Sequence, residues 1–282
     1  MSHVFVVRPG EEHRLPQVDA VAQRLKEEVL SIERLGDETL CRICAECPAD
    51  TDEHAPSKRA GNRGHVLHGR VNYEQSAASG RLTWEVEQAQ RIVFRTLCGP
   101  CNNNTGSWYN PDYVTFATHC ESLAIPQNAG CLCEIRLRVR PQRVLKQALA
   151  SILAVSQPGL TVKYPRLRDL ITRKDAAAVL SPCHLWLYVR VNRGARSSGL
   201  GFRLEFSSRT GQLLAEFSFW PLGWLLTLDD TPVLGAVDVS EWSTVGFGEE
   251  KETALAVPHQ WAVSPYPADF RSPEQIRGAA RR

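Results

Sequence analysis

Two cysteine pairs carry the clearest chemical signal in this chain. Cys41 and Cys44 in LCRIC and Cys98 and Cys101 in LCGPC share a two-residue separation. One such pair is ambiguous among a redox dithiol, half of a metal site and two small buried residues. A second pair at the same spacing supplies four thiolates to one tetrahedral ion, for which zinc is the ordinary occupant. Cys47 offers a different register to Cys44, although Cys41 and Cys44 match the spacing of the second pair. A zinc held by four thiolates is closed and does no hydrolysis, so any reaction needs other groups. Glu53 and His54 lie between the pairs. Glu53 offers an oxygen ligand for a hard divalent cation, and an imidazole such as that of His54 suits taking a proton from water. Asn102, directly after Cys101, offers an uncharged carbonyl ligand that leaves positions for water and a phosphate oxygen.

In their order, Cys41, Cys44, Glu53, His54, Pro56, Lys58, Leu97, Cys98, Cys101, Asn102 and Gly106 resemble a branch of the HNH endonucleases. That branch has the pattern C-x2-C, then E-H-x-x-P-K or a close variant, then L-C-x-x-C-N and a glycine. The resemblance implies an α+β chain with a ββα-metal nuclease domain on a treble-clef zinc scaffold, in which a hairpin carries His54 and the following helix carries Asn102. By the same resemblance, His54 is the general base, Glu53 and Asn102 hold a catalytic Mg²⁺ or Mn²⁺, and Cys41, Cys44, Cys98 and Cys101 hold a structural zinc. Lys58, with Arg59 beside it, is implied as a phosphate contact, and the partner as nucleic acid, expected to be DNA. The chain departs from the pattern in two places. Ser57 separates Pro56 from Lys58, and QAQRIVFRT lacks the asparagine with which many relatives orient the imidazole. A zinc-stabilised nucleic-acid-binding module without hydrolytic activity is the alternative, and it has no need of Glu53, His54 and Asn102 together.

These residues need elements to position them. RLTWEVEQAQRIVFRTLC has the β-branched and aromatic content of a hairpin that delivers Cys98 at a strand end. The stretch after Cys101 is expected to start a turn or short helix, with Pro111 opposing a long one. His65 and His68 have metal-like spacing but sit in a Gly- and Arg-rich stretch that reads as polar surface or a substrate loop. Asn103 and Asn104 suit turn and cap geometry. Upstream, DAVAQRLKEEVLSIERLG predicts a helix capped by Asp19, with Val21, Leu25, Val29 and Ile32 on one face and Gly36 at its end. Downstream, CEIRLRVR alternates apolar and arginine residues as a strand does. Pro141 then opens a helix with Val144, Leu145, Ala148, Leu149 and Ile152 inward and Arg143 and Lys146 near its start. HLWLYVRVN, GFRLEFSS and LLAEFSFWPLGWLLTL read as strands, and RSPEQIRGAARR as a mobile basic tail. The chain therefore divides into an N-terminal helical segment (1–39), a zinc-stabilised HNH-like domain (40–112) and a strand-rich α+β C-terminal domain (113–282).

The whole-chain figures exclude little. Of 282 residues, 43% are hydrophobic, enough for a full core, and the formal charge of +2 does not by itself announce a nucleic-acid binder. Ten Lys and Arg face two Asp and Glu between Glu134 and Lys174, a basic zone the net charge conceals. Alternating charge on a strand more often marks a solvated face. The opening residues form no signal-peptide core, and no stretch reaches the roughly 18 apolar residues of a membrane span. A reducing cytoplasmic setting is thus expected, in which paired cysteines bind metal.

Overall fold

The structure, a computed structural model, describes residues 15–62, 66–72, 83–89, 92–123, 131–205, 210–264 and 267–279. Helix α1 (Leu15–Arg34) buries Leu25, Val29 and Ile32 against the sheet described below. It begins upstream of Asp19, which is therefore inside the helix and does not cap it. Gly36 ends this segment for a steric reason: a Cβ there would lie 2.3 Å from the Gly159 nitrogen, so the chain after α1 can cross residues 158–159 only without a side chain.

Four short strands follow. β1 (Thr51–His54) pairs with β4 (Val93–Leu97), and β2 (Val66–Asn72) pairs with β3 (Thr83–Ala89). The strands of RLTWEVEQAQRIVFRTLC are therefore not partners of each other; each takes an upstream partner. Helix α2 (Gly99–Trp108) continues from β4, and α3 (Asn110–Leu123) succeeds it with Pro111 in its first turn. A proline is harmless there because the first-turn N–H groups have no intrahelical acceptor, so a 14-residue helix forms where Pro111 was expected to oppose one.

β5 (Leu132–Val139) shows the expected alternation, with Cys133, Ile135 and Val139 buried. Its arginine face is matched by carboxylates: Arg136 contacts Glu134 at 2.6 Å, Arg138 contacts Glu250 at 3.4 Å, and Arg140, just beyond, contacts Glu250 at 2.7 Å. The arginines of this strand are thus paired with carboxylates while remaining at the surface. Pro141 opens α4 (Pro141–Val155), which is buried almost all round and touches α2, α3 and β4. Short helices α5 (Leu160–Lys163) and α6 (Pro165–Thr172) follow. Lys146, read from sequence as lying at the helix start, is wholly buried. Its Nζ donates to the Arg173 and Lys174 carbonyls at 3.1 and 2.9 Å, just past α6. Desolvation pulls its pKa down to about 8.

The remaining strands are β6 (His184–Arg190), β7 (Ala195–Glu205), β8 (Thr210–Phe219), β9 (Leu222–Thr227), β10 (Val237–Asp238) and β11 (Lys251–Gln260). They complete a sheet of order β5-β11-β6-β9-β8-β7, with β10 beside β6. Every neighbouring pair is antiparallel except β11 with β6. One continuous set of buried apolar residues runs from α1 through the cysteine region and α4 into this sheet. The chain is mixed α+β, as expected. The segment read as a mobile tail contains helix α7 (Pro273–Ala279). Ser272 and Gln275 start it by bonding each other's backbone nitrogens, the reciprocal arrangement of a capping box. Among the described residues no helix is long and apolar enough to cross a membrane.

Two polar clusters fasten the sheet. Buried Glu216 accepts Arg196 Nη2 at 2.7 Å, the Tyr188 hydroxyl and the Ala268 N–H at 2.9 Å, while Arg196 Nη1 reaches the Ser264 and Asp269 carbonyls at 3.0 Å. Glu216→Ala should cost about 3–5 kcal/mol, because it strands a buried guanidinium; urea titration of both proteins measures it, and a loss below about 1 kcal/mol would refute the role. His184 bonds Asp238 through Nδ1 at 2.7 Å and Asp230 through Nε2 at 3.0 Å. Desolvation lowers its pKa, but the two aspartates outweigh this and raise it above the ordinary value. A raised folded pKa gives stability that is full below the unfolded pKa of about 6.5 and is lost as pH climbs through the folded value. The difference in melting temperature between the parent and His184→Asn should therefore shrink from pH 5.5 to pH 9.

A four-cysteine cluster beside Glu53 and His54

The first cysteine pair sits on a tight loop. Leu40 bridges Pro48, the Cys41 N–H donates to the Cys47 carbonyl at 2.8 Å, and the Ala45 N–H donates to the Cys41 carbonyl at 2.8 Å. Ala45 takes φ 58° to close the turn, at a cost of about 1 kcal/mol for a residue with a Cβ. The second pair lies where β4 becomes α2: Cys98 is the residue before the helix and Cys101 is in its first turn. The loop meets β4 through the Arg42 N–H and the Thr96 carbonyl at 2.9 Å. It meets the helices through the Arg42 guanidinium on the Ser156 carbonyl and Thr161 Oγ1 on the Arg42 carbonyl.

These contacts gather the sulfurs of Cys41, Cys44, Cys98 and Cys101 within 4.8 Å of one another. The Cys44 and Cys98 sulfurs are 3.8 Å apart. Zn–S bonds of about 2.3 Å in a tetrahedron place sulfurs about 3.8 Å apart, nearly twice a disulfide length. The donor set therefore fits a zinc-like ion. Its electrostatics point the same way. A hydrogen bond from Cys101 draws the Cys41 thiol down to about 5, burial pushes Cys98 up to about 12, and Cys101 is raised further by Cys41 and burial. A dication bound here would favour the thiolate at each sulfur. Among the described residues this is the only group of three or more Cys, His, Asp or Glu donors so closely spaced.

Glu53 and His54 lie on β1, opposite Phe94 and Val93 of β4, beyond an irregularity in register after Thr51. Glu53 is buried, and burial alone raises its carboxyl pKa to about 7. His54, the last residue of the strand, is half-buried. Adjacent strand residues leave on opposite faces, so the two side chains are separated by the pleat of the strand. Asn102 faces β1 from α2: its Nδ2 donates to Thr51 Oγ1 and to the Asp52 carbonyl, each at 3.1 Å. Thr51 Oγ1 in turn donates to the Leu97 carbonyl at 2.8 Å. Strand, strand and helix are thereby tied at one point. Lys58 and Arg59 are exposed on a 3-10 turn four and five residues after His54. His65 and the side chain of His68 lie outside the described residues.

Sequence reading missed Asn62. Its side chain is buried, accepts the Ile92 N–H at 3.0 Å, and donates to the Ile92 and Pro56 carbonyls at 2.8 and 3.0 Å. Asn62 thus fastens the segment just after His54 to the residue just before His54's strand partner, Val93. These three bonds all go to backbone groups and none to the His54 imidazole, which Asn62 follows by eight positions. AGN after a Lys-Arg turn was the available signal, and nothing in it announces burial.

Cys98→Ser should lose bound zinc and destabilise the protein, since folding and metal binding are coupled in such sites. Asn62→Ala should keep the zinc and lose about 1–3 kcal/mol, because it leaves backbone groups unpaired. Atomic absorption and urea titration separate the two; a full equivalent of zinc in Cys98→Ser would rule out the four-cysteine site. No protein-family profile, characterised protein or solved structure matches this chain, so its relationships rest on the residues themselves.

Proposed function

We propose that the chain is a metal-dependent endonuclease of the HNH type that hydrolyses phosphodiester bonds in DNA. The observation that carries this reading is the bond of Asn102 to β1, the strand that holds Glu53 and His54, within a strand-strand-helix unit built on the four-cysteine cluster. In this reading the cluster holds a structural zinc and takes no part in the reaction. Glu53 and the Asn102 carbonyl hold Mg²⁺ or Mn²⁺. When bound, that cation would neutralise charge on the scissile phosphate and its leaving oxygen.

The residues of the chain supply the rest. His54 accepts a proton from the attacking water through its imidazole, which ordinarily titrates near neutrality. Asn102 uses its amide nitrogen on β1, which leaves the carbonyl oxygen for the cation. Glu53, half-ionised near pH 7 because it is buried, becomes fully ionised beside a dication. Lys58 and Arg59, exposed just after His54, bind flanking phosphates and fix the register of the strand without reading its sequence.

The alternative reading is a zinc-stabilised nucleic-acid-binding module without catalysis. Carboxylate pairing of Arg136, Arg138 and Arg140 weakens its main attraction, a free basic strand. Purified protein should cut supercoiled plasmid or single-stranded DNA with Mg²⁺ or Mn²⁺ and stop on EDTA. His54→Ala should slow cutting by about 10²-fold or more, and Asn102→Ala should raise the Mg²⁺ requirement while retaining zinc. Undiminished cutting by His54→Ala would exclude the proposed base. DNA binding with zinc present and no cutting would favour the binding module.

A further inference from the structure

The face of the β1–β4 pair that carries His54 also carries an arginine that the proposed reaction does not use. His54 stands opposite Val93. Along β4, Val93 and Arg95 are exposed while Phe94 and Thr96 are partly covered. Strand residues two apart share a face, which places Arg95 on the side of His54. Asp52 is the one acidic residue that β1 and β4 add to that side, and it too is exposed.

The surface continues from the end of β1 toward the large sheet. The 3-10 turn of Lys58 and Arg59 ends at Gly61, where an added Cβ would stand 3.3 Å from Cε1 of Phe219. Phe219 closes β8, and Trp220 opens the turn to β9. That turn is tied to the loop before β7 by the Trp220 N–H, which donates to the Gly194 carbonyl at 3.1 Å. From the same loop, Cζ of exposed Arg193 lies 4.9 Å from the Trp220 ring centroid. Trp220 is half-buried and packed against the core. Among the described residues Arg59, Arg95 and Arg193 have no ion pair, unlike Arg138 and Arg140, which share Glu250. The elements next to His54 thus offer cations that the fold leaves uncompensated, and a fixed aromatic ring beyond them.

We propose that this surface is a track for single-stranded DNA: Arg95 and Arg59 hold phosphates flanking the one beside His54, and an unpaired base stacks with Arg193 and Trp220. Phosphates supply the anions that these arginines lack, without regard to sequence. A guanidinium stacks on a base as it does on an indole. In a duplex both faces of each base are taken by its neighbours, so a stacking platform selects a strand whose bases are free. The proposal rests on the endonuclease reading for its alignment with His54, and it names the substrate of that site as a strand with unpaired bases.

The test uses the full-length chain, assayed for zinc, with no Mg²⁺ or Mn²⁺ added. The probe is a fluorescein-labelled oligodeoxynucleotide, single-stranded or annealed to its complement, and anisotropy reads its binding. The parent should bind the single strand more tightly than the duplex. Trp220→Leu should weaken single-strand binding by about fivefold or more, the loss of one stacked base, with its salt dependence unchanged. Trp220→Phe should restore most of that loss. Arg95→Gln should instead lower the slope of log affinity against log salt by about 0.7, the signature of one phosphate contact on a single strand. Arg193 is exposed, so Arg193→Gln leaves the core intact and tests the platform even if Trp220→Leu fails to fold; it should weaken single-strand binding more than duplex binding. No binding of the single strand, equal affinity for the two forms, or unchanged single-strand binding in Arg193→Gln and the Trp220 variants would overturn the proposal while leaving Mg²⁺-dependent cutting by the parent to stand. Trp220-dependent binding by a protein that cuts nothing once Mg²⁺ is added would support the track and overturn the nuclease reading alone.

Discussion

Four buried sulfurs must sit within 4.8 Å of one another, and the candidate site depends on what makes that tolerable. β1, β4 and α2 have 4, 5 and 10 residues, and α2 buries only Cys101 and Thr105. Such a unit cannot hold itself together by apolar burial. Its substitutes are the sulfur cluster, the Asn102 bonds to β1 and a mount on larger elements. Thr96 reaches the Ala154 carbonyl at 2.8 Å, and Arg42 reaches Ser156, both at the end of α4. A dication held by the four sulfurs would clamp them together, and folding of the site and metal content would then be one equilibrium.

Where local pattern and tertiary demand agree, the sequence was legible. The alternation of Ile135, Leu137 and Val139 and the proline that opens α4 located β5 and α4, and the apolar face of α1 was correct. Pairing was not legible, because β-propensity describes one strand and says nothing of its partner. β4 was therefore read against β3 although it pairs with β1. Signals for helix ends failed where position changes their meaning. Asp19 caps nothing because α1 begins upstream, and Pro111 starts a helix that the same residue would break a few positions further in. The basic tail hid a cap whose partners, Ser272 and Gln275, are three residues apart.

Charge was the least legible property, because its effect depends on distances that composition does not contain. The arginine face of β5 is solvated, as its alternation led us to expect, but its carboxylate partners were not visible. Glu250, remote in sequence, reaches Arg138 and Arg140. Lys146 is drawn wholly inside to hold two carbonyls past α6. At the candidate site the four-cysteine cluster was legible, since two pairs at one spacing have few joint uses. The support was not: Asn62 acts only through three backbone contacts that require the folded geometry.

Glu216 and Glu53 show how the fold treats a buried carboxylate in two ways. Glu216 is met by a guanidinium, a phenol and a backbone N–H, so its charge is compensated within the protein and its position is structural. Glu53 is acted on by burial alone and raised to about 7. Burying a carboxyl without such compensation costs free energy, yet a leucine or valine on the inward face of β1 would serve packing without that cost. Glu53 sits one residue from a half-buried histidine and on the strand that Asn102 grips. In the proposed reading, a divalent cation arriving from solution would supply the counter-charge that Glu53 lacks among its described neighbours.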